Sequence, residues 1–180
     1  FILYAKEGIL FLSGNEYMPA VLPMQIIMPT IIFIGLTNIM GIQMLVPMGL
    51  EKVVLHSEIA GAVIDLILNT LLIPHLASAG AAIGTLVAEG VVWIVQFVAL
   101  RKEVMPAYRN VRYGKVVLAT VIGAVSSGWV KTLGMGNFVT LLMSAVLFFG
   151  GYAIVLTVLK EPLVWEIENQ VFIKIKGMVK

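Results

Sequence analysis

The feature that most constrains this chain is a series of apolar runs, each about as long as a membrane is thick, separated by short polar breaks. An α-helix needs about 20 apolar residues to cross the hydrocarbon core, because each residue advances the helix by about 1.5 Å. Residues 79–100 illustrate the pattern, since Glu89 is their only charged side chain. The runs predict an all-α integral membrane protein, built as an antiparallel bundle of transmembrane helices.

The composition excludes several other classes of protein. Hydrophobic residues make up 60% of the chain and charged residues 12%, whereas soluble domains are about half apolar and a quarter charged. The net charge of +2 is too small to indicate a nucleic-acid partner. Cysteine is absent, and His56 and His75 have no second ligand at a metal-binding spacing. We therefore predict no metal site. Because the longest internal loop, residues 101–115, offers Glu103 as its only acid, we also predict no catalytic residues and no enzymatic activity.

We predict about five full spans and one partial span, all within a transmembrane lobe over residues 1–160. The predicted spans are residues 1–12 (partial), 18–46, 53–73, 79–100, 116–130 and 138–159. Pro29 predicts a kink in the first full span, and Pro74 ends the next one. The span at 116–130 is short and rich in Gly and Ser, so a re-entrant segment is an alternative there. Because the chain opens on Phe1 without an initiating Met or a signal peptide, we expect it to be a fragment of a longer protein.

The basic residues predict the orientation of the spans. Strict alternation places Lys52, the loop of residues 101–115 and the tail on one side, and leaves only Lys6 and Lys131 on the other. Basic residues concentrate on the cytoplasmic side, so we expect a multi-pass protein of the cell membrane with a cytoplasmic C-terminus. Residues 161–180 have apolar positions at helical spacing with lysines beside them. They predict a cytoplasmic amphipathic tail on the membrane surface.

Polar residues inside the spans are the candidates for function, because an ionisable group at the centre of a membrane helix costs about 2.5 to 3.5 kcal/mol on insertion scales. Two adjacent spans each carry a stripe of such residues with a carboxylate near mid-depth, Asp65 in one and Glu89 in the other. Residues of the preceding span add to them. The candidate cavity residues are Asn38, Gln43, Glu58, Asp65, Asn69, Thr85, Glu89, Trp93 and Gln96.

Two interpretations of these stripes remain open. In the first, three successive helices line a hydrated cavity for a polar substrate, and Asp65 or Glu89 takes up protons or binds Na⁺. In the second, Asp65 and Asn69 form hydrogen bonds to a neighbouring helix, as polar residues in bundles commonly do. Trp93 lies on the face of Glu89, where it either anchors the helix or stacks on a sugar. The small residues Gly80, Gly84 and Ala88 recur every four residues and predict close helix packing.

Particular motifs in their order resemble a known family. They include Phe11-Leu12-Ser13-Gly14-Asn15-Glu16-Tyr17, the stretch from Asn38 to Gly49, Asp65-Leu66-Ile67-Leu68-Asn69, Leu72-Ile73-Pro74, and the stretch from Ser78 to Glu89. Residues 8–102 resemble the C-terminal lobe of the Wzx-type polysaccharide flippases, and the later residues resemble it loosely. These flippases belong to the superfamily of MATE-like exporters.

The resemblance implies one lobe of a two-lobe transporter that moves undecaprenyl-diphosphate-linked oligosaccharides across the membrane for surface polysaccharide synthesis. It implies membrane lipid, the N-terminal lobe of the same chain, and polysaccharide polymerase or assembly proteins as partners. Family members hold the diphosphate with basic residues, and this chain has none at mid-depth. Either the other lobe supplies them or this part of the resemblance does not extend to this chain.

Three alternatives stand beside the flippase. The nearest is a MATE-like antiporter of drugs or metabolites. A membrane component of a polysaccharide polymerase or glycosyltransferase complex belongs to another class, but the loop at 101–115 offers Glu103 as its only acid. A scaffold that binds its partners through the tail is the third. In all cases we expect no cofactor beyond H⁺ or Na⁺ used for coupling.

Overall fold

The structure, a computed structural model, describes residues 2–159. Within this range the chain is almost entirely helical and contains no β-strand. The α-helices are α1 (Ala5–Leu12), α2 (Val21–Ile27), α3 (Thr30–Thr37), α4 (Glu51–Leu76), α5 (Ser78–Ala99), α6 (Arg101–Asn110), α7 (Tyr113–Gly128) and α8 (Asn137–Val158). Tighter 3₁₀ segments cover Ile2–Tyr4, Asn15–Ala20 and Trp129–Leu133, and a π-helix covers Asn38–Leu45.

Helices of membrane-spanning length account for most of the described chain. Four are long and apolar enough to cross a bilayer: α4, α5, α8 and the continuous stretch Tyr113–Leu133. A fifth span results if the bent pair Asn15–Ile27 and Thr30–Leu45 is counted as one. These helices confirm the predicted all-α membrane fold, whose hairpins are antiparallel.

The bent span turns at Pro29, as the sequence predicts. The two halves make an angle of 42°. Pro29 has no backbone N–H and therefore cannot donate the hydrogen bond that would continue the helix. On the other side of the break, the Thr30 hydroxyl donates to the Ile27 carbonyl at 2.6 Å. Hydroxyls that bond back to the preceding turn favour bending, so two adjacent residues produce the kink.

Beyond the kink the same span widens into the π-helix. Its hydrogen bonds join residues five apart, as when the Val46 N–H donates to the Gly41 carbonyl at 3.0 Å. Such segments are rare and occur frequently at functional sites. Nothing in the sequence pattern predicted this one.

α4 and α5 form a tight hairpin joined by a single residue, Ala77. At Ala77, φ is 49° and ψ is −130°, and this backbone conformation reverses the direction of the chain at a single residue. The helices then pack through small residues: a Cβ on Gly61 would lie 2.5 Å from the Val92 Cγ2 atom, and one on Gly80 would lie 2.6 Å from the Leu72 carbonyl carbon. The predicted close packing through glycines is confirmed.

The end of α4 and the segment that follows α5 differ from the sequence-based expectation. α4 continues through Pro74 to Leu76, because a proline in the last turn removes one hydrogen bond only and leaves the rest of the helix intact. Residues 101–110, expected within a loop, form α6 instead. Its Val104 joins Met40, Leu45 and Leu100 in a buried apolar cluster, and this packing stabilises a helix whose composition is otherwise polar.

The chain divides into two compact units, Phe1–Asn110 and Val111–Lys180. In the second unit α7 and α8 form a hairpin in which a Cβ on Gly123 would lie 3.0 Å from the Phe148 carbonyl oxygen. The Lys115 Nζ atom donates to the Leu159 carbonyl at 2.5 Å, at the end of α8. The span predicted at 116–130 is thus longer than expected, and it is continuous rather than re-entrant. The single lobe over residues 1–160 stays a prediction, and the predicted tail at 161–180 lies outside the described residues.

Candidate functional site

The hairpin of α4 and α5 places two carboxylates at the same depth. Asp65 stands twelve residues before Ala77 and Glu89 twelve residues after it. At about 1.5 Å per residue, both lie about 18 Å along their helices from the connecting residue. The antiparallel pair therefore presents both acids near the middle of a span, as the sequence predicts.

These acids meet in a pocket of about 200 Å³ between the two helices, which we call the α4–α5 pocket. Its floor consists of small and apolar residues that allow the helices to approach. The residues that line it are Glu58, Gly61, Ala62, Asp65, Thr85, Ala88, Glu89 and Val92. Four of the predicted cavity residues are thus brought together here, and they supply all of its polar groups.

Asp65 is held by its neighbour on the same helix. The Asn69 Nδ2 atom donates to the Asp65 Oδ2 atom at 3.0 Å, while a Cβ on Gly84 would lie 2.5 Å from the Asn69 Oδ1 atom and 3.2 Å from the Asp65 Oδ1 atom. Both Oδ1 atoms are buried, and no described residue donates a hydrogen bond to them. The two side chains therefore bond to each other on α4 and contact the backbone of α5 without a hydrogen bond to it among the described residues. The hydrogen bonds to a neighbouring helix that the second interpretation expects are not seen here, and the hydrated cavity of the first stays a prediction.

A second pocket, of about 270 Å³, lies between the hairpin and the π-helix. We call it the π-helix pocket. Its lining combines polar side chains from α3, the π-helix, α4 and α5 with three apolar side chains. The residues are Ile34, Thr37, Asn38, Gly41, Ile42, Val54, Glu58, Glu89 and Gln96. The third helix expected to contribute to a cavity does so through this pocket.

Glu58 and Glu89 line both pockets and connect them. Glu58 is exposed and Glu89 is half-buried. Among the described residues, no Lys, Arg or His lines either pocket. The surface formed by the two pockets is therefore acidic and rich in hydrogen-bond acceptors.

Gln96 is the most buried of the polar residues that line the two pockets, with 1% of its surface exposed. Its Nε2 atom donates to the Ser57 Oγ atom at 3.0 Å, and a Cβ on Gly41 would lie 3.2 Å from both polar atoms of its amide. The amide thus joins α4, α5 and the π-helix. Its Oε1 atom is buried and receives no hydrogen bond from residues 2–159.

Three predicted residues line neither pocket. Gln43 is exposed and donates through its Nε2 atom to the Asn38 Oδ1 atom at 3.4 Å, and Asn69 supports Asp65. Trp93 packs between Phe33 and Phe97, with ring centroids 5.8 Å and 5.5 Å away. The structure thus places Trp93 in an aromatic stack within the protein.

Sequence reasoning missed three small residues and one hydroxyl of the site. Gly61 and Ala62 lie four and three residues before Asp65, so helical spacing already places them on the same face. Ser57 accepts the hydrogen bond from Gln96, a pairing across 39 positions that no local pattern encodes. Gly41 was missed because its role depends on the π-helix.

Comparison with known proteins gives one informative similarity. The chain is 27% identical over 158 residues to a protein of Methanocaldococcus jannaschii described as an uncharacterized membrane protein. The match covers 88% of this chain and 31% of the relative, so the chain spans about a third of the length of that protein. No protein-family model matches the chain, and no solved structure matches it significantly. Together with its apolar helices, this similarity establishes the chain as a multi-pass α-helical membrane protein.

Proposed function

We propose that the chain is the C-terminal lobe of a membrane flippase that translocates undecaprenyl-diphosphate-linked oligosaccharide units for surface polysaccharide synthesis. Translocation is coupled to an ion, and the protein is not an enzyme. The motifs that resemble the Wzx-type flippases support this assignment. The observation that carries the transport mechanism is the meeting of Asp65 and Glu89 in one pocket at matching depth.

The arrangement of oxygen atoms supports ion coupling. Asp65, Thr85 and Glu89 line the α4–α5 pocket, and the Oδ1 atoms of Asp65 and Asn69 receive no hydrogen bond from the described residues. Carboxylate, amide and hydroxyl oxygens are the ligands that hard cations prefer, and carboxylates at membrane depth are typical of proton relays. Binding of either H⁺ or Na⁺ neutralises the acids in this pocket. Neutralisation changes the free energy of the conformation in which the pocket opens to one side of the membrane.

The rest of the protein completes the transport pathway in this proposal. The chain spans about a third of its relative, which leaves room for an N-terminal lobe that faces the two pockets and supplies basic residues for the diphosphate. The protein lies in the cell membrane with its C-terminus in the cytoplasm, where polysaccharide polymerase and assembly proteins are its partners. Orientation follows from the positions of the Lys and Arg residues.

A MATE-like antiporter is the second candidate, and one specific observation favours it. Both pockets are acidic and, among the described residues, free of basic side chains, a character that suits an organic cation as cargo. A membrane component of a polymerase or glycosyltransferase complex has less support. Such an enzyme needs acids clustered in a large loop, whereas Glu58, Asp65 and Glu89 lie within the helices of the hairpin.

The test uses the full-length protein in proteoliposomes with an imposed Na⁺ or proton gradient. The measured quantity is the translocation of a fluorescent lipid-diphosphate-linked sugar, with and without the gradient. We expect Asp65→Asn and Glu89→Gln each to abolish the acceleration by the gradient at unchanged protein levels. Glu51→Gln, at the exposed start of α4, is the matched control and keeps the acceleration. If the gradient still accelerates translocation in both pocket variants, the proposed mechanism is contradicted. If the protein exports small cations but does not translocate the lipid-linked sugar, the antiporter is the correct function.

A further inference from the structure

The buried amide of Gln96 has one polar atom satisfied and one unsatisfied. Its Nε2 atom donates to Ser57, and the Ser57 hydroxyl donates in turn to the Val54 carbonyl at 2.7 Å. Its Oε1 atom is buried without a partner among residues 2–159, in a side chain that lines the π-helix pocket. A buried acceptor without a donor is costly, and a ligand that brings a donor removes this cost.

The other polar groups of the π-helix pocket are mostly acceptors as well. Glu58 and Glu89 only accept when ionised. The Thr37 hydroxyl donates to the Ile34 carbonyl at 3.2 Å, which leaves its oxygen as an acceptor. Asn38 accepts from Gln43, so its Nδ2 amide and the second N–H of Gln96 Nε2 are the donors that this inventory leaves for a ligand.

From this inventory we propose that the π-helix pocket binds a neutral, hydroxyl-bearing ring, such as one sugar unit of the cargo, and that the Gln96 Oε1 atom accepts a hydrogen bond from it. A phosphate or diphosphate is excluded as the ligand, because it offers acceptors to a pocket of acceptors and faces two carboxylates. The apolar side chains of Ile34, Ile42 and Val54 provide contact for the C–H groups of a ring.

The volume of the π-helix pocket and the charges in its lining restrict the class of ligand further. The volume of about 270 Å³ is close to the lower end of small-molecule pockets, about 300 Å³, and suits one ring rather than an oligosaccharide. An organic ammonium ion is the competing ligand, because Glu58 and Glu89 line the pocket. However, the buried acceptor without a partner is the Oε1 atom of a neutral amide, whereas Glu58 is exposed and Glu89 half-buried.

This inference rests on the proposed function, since it assigns the sugar part of the cargo to one pocket and the coupling ion to the other. Because Glu58 and Glu89 line both pockets, the ion bound in the α4–α5 pocket alters the carboxylates that border the sugar. A binding measurement tests this inference, whereas a transport measurement tests the proposed function. Either proposal can therefore fail while the other holds.

The experiment measures protection of an introduced cysteine in the full-length protein, with any cysteine outside this chain replaced by serine. This chain itself contains none. Thr37→Cys places a thiol in the π-helix pocket, and Thr132→Cys places one at an exposed position of the other hairpin. The alkylation rate by a water-soluble maleimide is measured in a detergent without a sugar headgroup, with added glucose, N-acetylglucosamine or tetraethylammonium.

We expect at least one of the two sugars to slow alkylation at position 37 threefold or more, without an effect at position 132. Tetraethylammonium should leave both rates unchanged. Absence of protection by both sugars overturns the proposal, and protection by tetraethylammonium alone overturns it in favour of a cation site.

Variants then assign the binding to Gln96. Gln96→Met preserves volume and removes the Oε1 atom, so it should raise the sugar concentration for half-protection at least tenfold. Thr70→Ala, at an exposed position of α4 that lines neither pocket, is the control and should change that concentration by less than threefold. If Gln96→Met does not fold, Ile42→Trp, at an exposed pocket position, blocks the pocket and should abolish protection. If protection is unchanged in a folded Gln96→Met or Ile42→Trp protein, the assignment of sugar binding to this pocket is overturned. If Asp65→Asn loses transport but is still protected by sugar, the assignment holds.

Discussion

Asn69 and Gly84 contact each other so closely that a Cβ atom on the glycine would lie 2.5 Å from the Asn69 Oδ1 atom. Through this contact α5 holds the side chain that in turn donates to the Asp65 carboxylate. The position of a charged group in the membrane therefore depends on the absence of a side chain on the neighbouring helix.

Gly84→Ala should destabilise the hairpin of α4 and α5. A methyl group at this site forces Asn69 and Asp65 to move, and overpacking of this kind costs about 1 to 3 kcal/mol. The free energy of unfolding in detergent measures the effect. Gly90→Ala is the control on the same helix, since its Cβ would lie 3.9 Å from the nearest atom, Phe33 Cζ. Equal stability of the two variants would contradict the contact.

Ala77→Gly should stabilise the protein. The φ of 49° at Ala77 is a conformation that L-residues rarely adopt, and such strain costs on the order of 1 to 3 kcal/mol. Glycine removes it because it has no Cβ. We expect a higher midpoint of thermal unfolding for Ala77→Gly and a lower one for the helical control Ala79→Gly. A decrease in both variants argues against the strained connection.

Trp93→Ala should destabilise the first unit by about 3 kcal/mol, the lower end of the range for truncated aromatic residues in cores. Its ring stacks on Phe97 at 5.5 Å and packs against the buried cluster of Met40, Leu45, Leu100 and Val104. Chemical unfolding measures this loss, and Trp129→Ala, with 56% of the side chain exposed, is the control. Trp93→Phe should retain translocation, because we assign the ring to packing; a large loss of translocation in a stable Trp93→Phe protein would restore the sugar-stacking hypothesis.

The orientation is tested by labelling single cysteines in intact cells. Lys102→Cys, in the basic helix α6, should react with a membrane-impermeant maleimide only after the cells are lysed. Lys131→Cys should react in intact cells, since alternation places it on the opposite side. The reverse pattern refutes the cytoplasmic C-terminus.

The fold was largely predictable, because the length of each apolar run is set by the thickness of the bilayer rather than by tertiary contacts. Asp65 and Glu89 were identified for the same reason, since depth follows from position within a span. α6 was missed because its charged residues and Pro106 are typical of a loop, whereas the packing of Val104 and Tyr108 against other segments becomes visible only in the folded chain.

The environment of each polar residue was less predictable. Asn69 follows Asp65 by four residues and Trp93 follows Glu89 by four, so helical periodicity assigns each pair to one face. The contact with Gly84 decides that Asn69 supports Asp65 instead of lining the pocket, and this contact depends on how the two helices cross. The π-helix escaped prediction because a shift from four-residue to five-residue hydrogen bonds leaves no periodic signal in eight residues.

The one-residue connection at Ala77 has a mechanical consequence. Because a single residue joins them and glycines lie in their interface, α4 and α5 have little freedom to move relative to each other where they line the α4–α5 pocket. The opposite wall of the π-helix pocket belongs to the span that bends by 42° at Pro29. A change in that bend therefore alters the space around Gln96, whose amide lies beside Gly41 of the π-helix.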